Sequence, residues 1–411
     1  MSKNIIFCAD GTWNGSTEEP DHAPHITNVL KVFYNLRSDF SKEVPALSEN
    51  GETGPDDAKE LECVYKEGDT TLQIAKYLHG VGDSDNELVK LLGGTIGAGL
   101  VGRVIRGYTF ISRNYVAGDR IHLVGFSRGA YTARALAGLI AAKGLLSAKT
   151  NKLEDHEAAY KLGSSVWGAY REEALKSNLP AFGRVQAWML SVPHLFDQVV
   201  NADQLVPDVK IKTVAVWDTV GSVGIPAFDS HGHVVEALKF VDNKLSDAVE
   251  KGFHAISLDE CRESFPSCGW DRDDGRVVQV LFPGAHADVG GGYPVDESGL
   301  SDVALMWMTE QLTRQEVLFA PVPAVVPAPV PTALAHRPWD EDTWKNFPQV
   351  IRSAPDNQMA QGRLIHASVK ERMEKGSIGA PGQGPVPYNP LNLKSYRDSA
   401  DDSIGSAYFA T

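Results

Sequence analysis

The sequence is short of several things, and each shortage excludes something. Only four of its 411 residues are cysteine: Cys8, Cys63, Cys261 and Cys268. Their spacing fits no zinc template and no disulfide framework, so free thiols and a reducing compartment are expected. Cys8 lies in an apolar run, where a buried thiol behaves as a small hydrophobe. No apolar run approaches the roughly 20 residues that a membrane span needs. Met1-Ser2-Lys3-Asn4 leads straight into a short apolar segment without a signal-peptide pattern. The expected location is the cytoplasm, with export by a route that cleaves no signal as the alternative. Basic residues are also outnumbered, 39 against 53 acidic, for a net charge of −14. Phosphate backbones and anionic lipids attract basic faces, so no nucleic-acid partner is expected and any membrane-surface contact would be transient.

What is present is a pattern of short buried strands. Ile5–Ala9, Ile121–Phe126, Ile211–Trp217 and Val277–Phe282 are apolar runs, each ending at a polar residue and a glycine-rich turn. Helical patterns lie between them, including Arg103–Tyr115 and the run of strong helix formers after Ser127. Strands alternating with helices indicate an α/β protein with a mainly parallel sheet covered on both faces. Residues 148–205 are mostly helical in pattern and carry Trp167, Tyr170, Phe182, Trp188 and Phe196. They read as a cap-like insertion, with plain core packing the competing role for each aromatic. Residues 320–331 are proline-rich and suit a polyproline strap or linker. The chain is otherwise expected to be one catalytic domain over 1–411.

Gly125-Phe126-Ser127-Arg128-Gly129 matches G-x-S-x-G between a strand pattern and a helix pattern. In a nucleophile elbow the serine occupies a tight strand-to-helix turn, and small flanking residues let strand and helix approach. The α/β-hydrolase fold with Ser127 as nucleophile follows as the expectation, and the Arg128 N–H is one expected oxyanion donor. Triad order in that fold is Ser, then Asp or Glu, then His. Asp218 follows the strand pattern Val214-Ala215-Val216-Trp217 and is the expected orienting acid. Of the later histidines, only His286 closely follows a strong strand, and three glycines come soon after it. It is the expected base, His366 is the runner-up, and His254 reads as a packing or supporting residue in a helical-looking stretch. After the first strand, Asp10-Gly11-Thr12 would supply the second oxyanion donor from Gly11 or Thr12, with Asp10 ordering the loop. Asp10, Ser127, Asp218 and His286 thus share the carboxyl ends of strands, where open α/β sheets hold ligands.

Two competing readings use the same stretches. Asp10, Asp218, His286 and Asp288 offer hard ligands for a divalent metal, but a metallohydrolase leaves the elbow unexplained, so neither metal nor cofactor is expected. Gly97-Ala98-Gly99-Leu100-Val101-Gly102 matches G-x-G-x-x-G but lacks the preceding strand and a suitably placed acid of a dinucleotide site. Close helix packing or a loop near the site suits it better.

With these residues in hand, the chain resembles a bacterial family once called a domain of unknown function. That family is the catalytic domain of type VI secretion phospholipase effectors, first family. The resemblance rests on Phe7-Cys8-Ala9-Asp10-Gly11-Thr12-Trp13-Asn14, Gly80-Val81-Gly82, Gly118 to Arg134, Val216 to Gly221, His254 to Glu260 and Phe282 to Tyr293. It covers roughly residues 3 to 310, extended by His366-Ala367-Ser368-Val369 and Tyr388-Asn389-Pro390. One departure is that Ala9 separates Cys8 from Asp10, where the family has Cys-Asp. The resemblance implies a Ser-Asp-His triad at Ser127, Asp218 and His286. It also implies a lipid or ester substrate, phospholipid above others, type VI export, and a secretion-spike or immunity protein as partner. Family members often carry large membrane-anchoring insertions, and no apolar anchor is evident here. A housekeeping esterase or thioesterase with a small soluble substrate is the alternative, followed by a catalytically silent scaffold.

Overall fold

The computed structural model describes residues 2–11, 25–39, 60–80, 96–176, 199–220, 226–228, 234–236, 244–270, 275–341, 345, 348–350, 352, 364–376, 386–393 and 409–410. Among them, nine strands form one sheet: β1 (Asn4–Ala9), β2 (Glu60–Glu67), β3 (Thr70–Leu78), β4 (Arg120–Phe126), β5 (Ile211–Trp217), β6 (Val249–Ser257), β7 (Val277–Phe282), β8 (Leu364–His366) and β9 (Phe409–Ala410). Their order across the sheet is β9-β8-β7-β6-β5-β4-β1-β3-β2. All neighbours are parallel except β2, which pairs antiparallel with β3.

The central strands β1, β4 and β5 are mostly apolar because both their faces are covered. Ile5, Phe7, Leu123, Val214 and Val216 face one core. There they meet α2 (Ile96–Asn114) and α3 (Arg128–Lys143). The alternate residues Ile6, Cys8, Val124, Ala215 and Trp217 face a second core. It is closed by α1 (Asn28–Asn35) and α6 (Gly299–Arg314). Thr27 caps α1 by accepting the Leu30 N–H at 3.1 Å. Cys8 and Cys63 are buried thiols and Cys261 and Cys268 are half-buried, none disulfide-bonded.

Several elements depart from sequence expectation. The stretch around His254 is strand β6, although it looked helical. It is a central strand, buried on both faces from Gly252 to Ser257, so the period-2 alternation that marks a half-exposed strand is missing. The polar region after β1 contains the β2–β3 hairpin, turned through Gly68 at φ 58°. Helix α2 begins earlier than expected, so Gly97-x-Gly-x-x-Gly lies within its first turns and Gly102 faces the Tyr160 hydroxyl of α4 (His156–Lys176).

Of the 148–205 stretch, α4 packs outside α2 and α3. Gly163 lies against Thr109 and Ile105, Gly138 lies against Tyr170, and Trp167 is buried in the core. Phe182, Trp188 and Phe196 fall outside the described residues. The proline-rich 320–331 stretch lies as a strap over α1 and α6. The Ala320 N–H donates to the Asn35 carbonyl (2.9 Å), Asn35 exchanges side-chain bonds with the Val325 backbone (2.8 Å each way), and the Ala328 N–H donates to Asp302 (2.9 Å). Among the described residues no helix is long and apolar enough to cross a membrane.

Candidate active site

The elbow is built by backbone constraint. Ser127 stands between β4 and α3 at φ 56° and ψ −123°, a conformation L residues rarely adopt. Such strain costs about 1–3 kcal/mol and persists only where surroundings enforce it. Enforcement comes from both sides, since the Ser127 N–H donates to the Trp217 carbonyl (3.1 Å) and its carbonyl accepts from Tyr131 (3.2 Å). Glycine is required beside it. A Cβ on Gly129 would overlap the Ala9 carbonyl, and one on Gly125 would sit 2.5 Å from the Gly129 carbonyl. Arg128 opens α3, where unbonded helical N–H groups and the dipole favour negative charge.

Asp218 follows β5, also at positive φ, 32°. Its N–H donates to the Ala255 carbonyl at 2.7 Å, which ties the turn to β6. His286 opens α5 (His286–Gly290), which follows β7 after the Pro283-Gly284 break. His286 Nδ1 lies 2.5 Å from Asp218 Oδ2. The imidazole packs, tilted by 33°, at 4.6 Å from the ring of Phe126, the residue before Ser127, and meets Phe265 edge-to-face at 5.0 Å. Residues from four neighbouring strand ends thus bring Ser127, Asp218 and His286 into one locality. All three are buried, Ser127 at 4% exposure.

Burial opposes ionisation of Asp218, but the Arg352 guanidinium and the His286 hydrogen bond outweigh it and hold the carboxyl well below its ordinary range. For His286 burial wins over the pull of Asp218 and Glu260, so its pKa is lowered and the resting imidazole is neutral near pH 7. A neutral ring whose Nδ1 faces a carboxylate leaves Nε2 as the acceptor.

The other sequence candidates take supporting places. Asp10 Oδ2 accepts from Thr27 (2.6 Å) and Tyr77 (2.5 Å), and Oδ1 accepts the Gly11 N–H (2.6 Å). Gly11 lies against the elbow; a Cβ there would sit 2.8 Å from the Phe126 ring and 3.3 Å from Ser127 Cβ. Thr12 lies outside the described residues. Asp288 accepts from the Ala285 N–H (2.9 Å) and pairs with His336 Nδ1 (2.7 Å), and His336 Nε2 reaches Glu297 (3.0 Å). His254 Nε2 accepts the Thr219 N–H at 3.0 Å, just beyond Asp218. His366 caps α7 (Ala367–Lys375), bonding Ser368, and stacks on Phe282 away from the elbow. Asp218 and His286 bond each other, Asp10 bonds Thr27 and Tyr77, and Asp288 bonds His336, and no group of three or more metal-ligating side chains converges among the described residues.

Sequence reasoning missed two charged residues. Arg352 forks onto Asp218, and Glu260 accepts the His286 N–H at 3.2 Å while pairing with Arg262 at 2.7 and 2.8 Å. Glu260 stands in the Leu258-Asp259-Glu260 end of a resembling stretch, which was a usable signal. Arg352 lies in no motif.

Comparison with known proteins adds a family. The family described as T6SS, phospholipase effector Tle1-like, catalytic domain matches residues 3–311. An uncharacterized protein of Saccharomyces cerevisiae is 29% identical over 269 residues, 64% of this chain and 32% of its own length. The chain therefore spans about a third of that relative. A solved structure of an uncharacterized protein from Pseudomonas aeruginosa shares 16% identity at TM-score 0.40, covering 77% of this chain and 46% of that one. The structure of a Tle1 effector bound to the VgrG spike of a type VI secretion system shares 17% identity at TM-score 0.33, covering 71% and 51%.

Proposed function

Because the chain belongs to the family of Tle1-like type VI secretion phospholipase effector catalytic domains, we propose that it is a serine hydrolase. It cleaves carboxylic esters of lipids, phospholipids first among them, through Ser127, His286 and Asp218. The observation that carries this reading is the strained Ser127 at the start of α3 beside a buried His286–Asp218 pair 2.5 Å apart.

The chemistry follows from the groups. His286 Nε2 takes the Ser127 hydroxyl proton as the oxygen attacks the ester carbonyl. Asp218 stays ionised, fixes the tautomer and stabilises the imidazolium. The negative oxygen of the tetrahedral intermediate forms at the α3 N-terminus, within reach of the Arg128 N–H. The second donor comes from the loop after β1. Gly11 and Thr12 are the candidates, and the Gly11 N–H donates to Asp10 Oδ1 at 2.6 Å. His286 returns the proton to the leaving alcohol, and water then hydrolyses the acyl-enzyme with His286 as base. Asp288 and Asp10 shape the site by holding the His286 and Gly11 loops. A type VI spike is the proposed export partner, in line with the spike named for the solved relative.

The test pairs Ser127→Ala with wild type on short-chain p-nitrophenyl esters and on phospholipid vesicles. Loss of a nucleophile costs around 10⁴–10⁶ in turnover. Fatty-acid release from vesicles that disappears in the variant supports the reading. Equal turnover in both proteins overturns the serine mechanism. Inert vesicles with rapid soluble-ester turnover replace the lipid substrate with a small one, and no activity in either protein favours a silent scaffold.

A further inference from the structure

We infer that Arg352 is a positioning residue for the reaction. Its two-pronged grip fixes the Asp218 carboxylate against His286 and counterbalances its charge. This rests on the triad reading above. Arg352 Nη1 donates to Asp218 Oδ1 at 2.8 Å and Nη2 to Oδ2 at 3.0 Å. A planar guanidinium meeting a carboxylate in this way fixes the carboxylate plane as well as its place. The remaining donors are anchored on backbone. Nε and Nη2 reach the Phe265 carbonyl at 3.0 and 2.6 Å, and Nη1 reaches the Ser257 carbonyl at 3.3 Å. Phe265 is the ring against His286. One side chain therefore holds the acid and one wall of the base. Asp218 and Arg352 are both secluded, with side chains 0% and 7% exposed.

The arrangement differs from a simple acid–base pair in its charge. With Arg352 the three groups are neutral at rest and carry one positive charge when the imidazole is protonated. Without it they would be anionic at rest and neutral when protonated. Removing the guanidinium therefore favours proton uptake, whichever of Asp218 or His286 receives the proton. Arg352 keeps the couple ready to act as a base at lower pH, at some expense to the imidazolium formed during reaction. Glu260 offsets that expense, since its carboxylate lies against the His286 backbone and favours a charged ring. Among the described residues, the other groups facing the couple are the Ser257 N–H, which donates to Asp218 Oδ1 at 3.0 Å, Arg262, which pairs with Glu260, the Cys268 thiol near Arg352, and His254 of β6 behind Thr219.

The experiment measures kcat and KM against pH on a short-chain p-nitrophenyl ester for wild type, Arg352→Gln and Arg352→Lys. Gln keeps a hydrogen-bonding head without charge, and Lys keeps charge without the fork. Arg352→Gln is expected to raise the acid limb of kcat/KM by about one pH unit and to lower kcat about tenfold above it, with KM within about twofold. Arg352→Lys is expected to leave the limb within about 0.3 unit while kcat falls from lost orientation. A Gln limb superimposed on wild type overturns the inference, as does a Lys limb displaced as far as that of Gln. If Arg352→Gln does not fold, Arg352→Lys decides alone: a limb in place supports the charge role, and one raised by a full unit overturns it. Ser127→Ala separates the two levels. An active Ser127→Ala removes the triad and this inference together, whereas an inactive one with an unmoved Arg352→Gln limb removes only the inference.

Discussion

Ser127 holds a backbone conformation that glycine adopts freely, which sets stability against chemistry at one residue. Ser127→Gly is expected to be inactive yet to melt about 1–3 °C higher, because relief of strain returns about 1 kcal/mol. Calorimetry beside an ester assay checks both halves, and a lower melting temperature would show that the elbow is unstrained. In the proposed triad, His286 and Asp218 set the pH behaviour. The base must be neutral, and burial lowers its pKa, so activity falls only as pH drops through a value below the ordinary 6.5. A wild-type acid limb at pH 7 or above would contradict that. Asp218→Asn keeps the shape but presents the wrong hydrogen-bonding group to Nδ1, and should lose about 10⁴ in kcat. Of these residues, sequence alone exposes those whose role depends on local backbone, namely the serine in its pentapeptide and the acid and histidine just beyond apolar runs. Arg352 was invisible because it meets Asp218 across 134 positions of chain. No spacing rule spans that distance.

At the scale of elements, the four expected strands were legible as apolar runs, whereas β6 and the β2–β3 hairpin were not. Strand β6 hides because Glu250, Lys251, Gly252 and His254 break up its apolar residues. The hairpin hides because β2 is an antiparallel strand at the sheet's end with glutamates at 60, 62 and 67. The loop that carries His286 is clamped by Asp259, whose Oδ2 accepts the Gly284 N–H (2.6 Å) and the Tyr388 hydroxyl (2.7 Å). Burial raises the Asp259 pKa from 3.8 to about 6. A carboxyl raised in the folded state lends stability that is full below the unfolded value and lost as pH rises through about 6. That loss is on the order of 3 kcal/mol at neutral pH. Asp259→Asn should therefore gain thermal stability relative to wild type at pH 7.5 but not at pH 4. The same difference at both pH values would refute the linkage.

At the scale of the whole molecule, a buried ion pair joins the two helices that close the second core. Lys31 of α1 meets Asp302 of α6 at 2.6 Å, both side chains nearly fully buried. The other Asp302 oxygen accepts from Ser298 (3.0 Å) and from the Ala328 N–H of the proline-rich strap (2.9 Å). Asp302→Ala would strand the Lys31 ammonium, at a cost of about 3–5 kcal/mol, and release the strap. The expected result is a lower melting temperature and faster elastase cleavage near Val322, Val326 and Val330. Unchanged values of both would show that the pair is dispensable.

The order of strands across the sheet also dictates how the protein comes to exist. β1 is made before the other strands of the sheet, yet it settles between β3 and β4 and cannot be completed until residue 126 has been made. Nearly all the pairings that follow are parallel and join distant parts of the chain, which makes folding slow. Asp218, His286 and Arg352 emerge later still, in that order. A nascent chain therefore carries Ser127, the proposed nucleophile, long before it carries the groups proposed to activate it. The proposed base is the last member of the proposed triad to be translated.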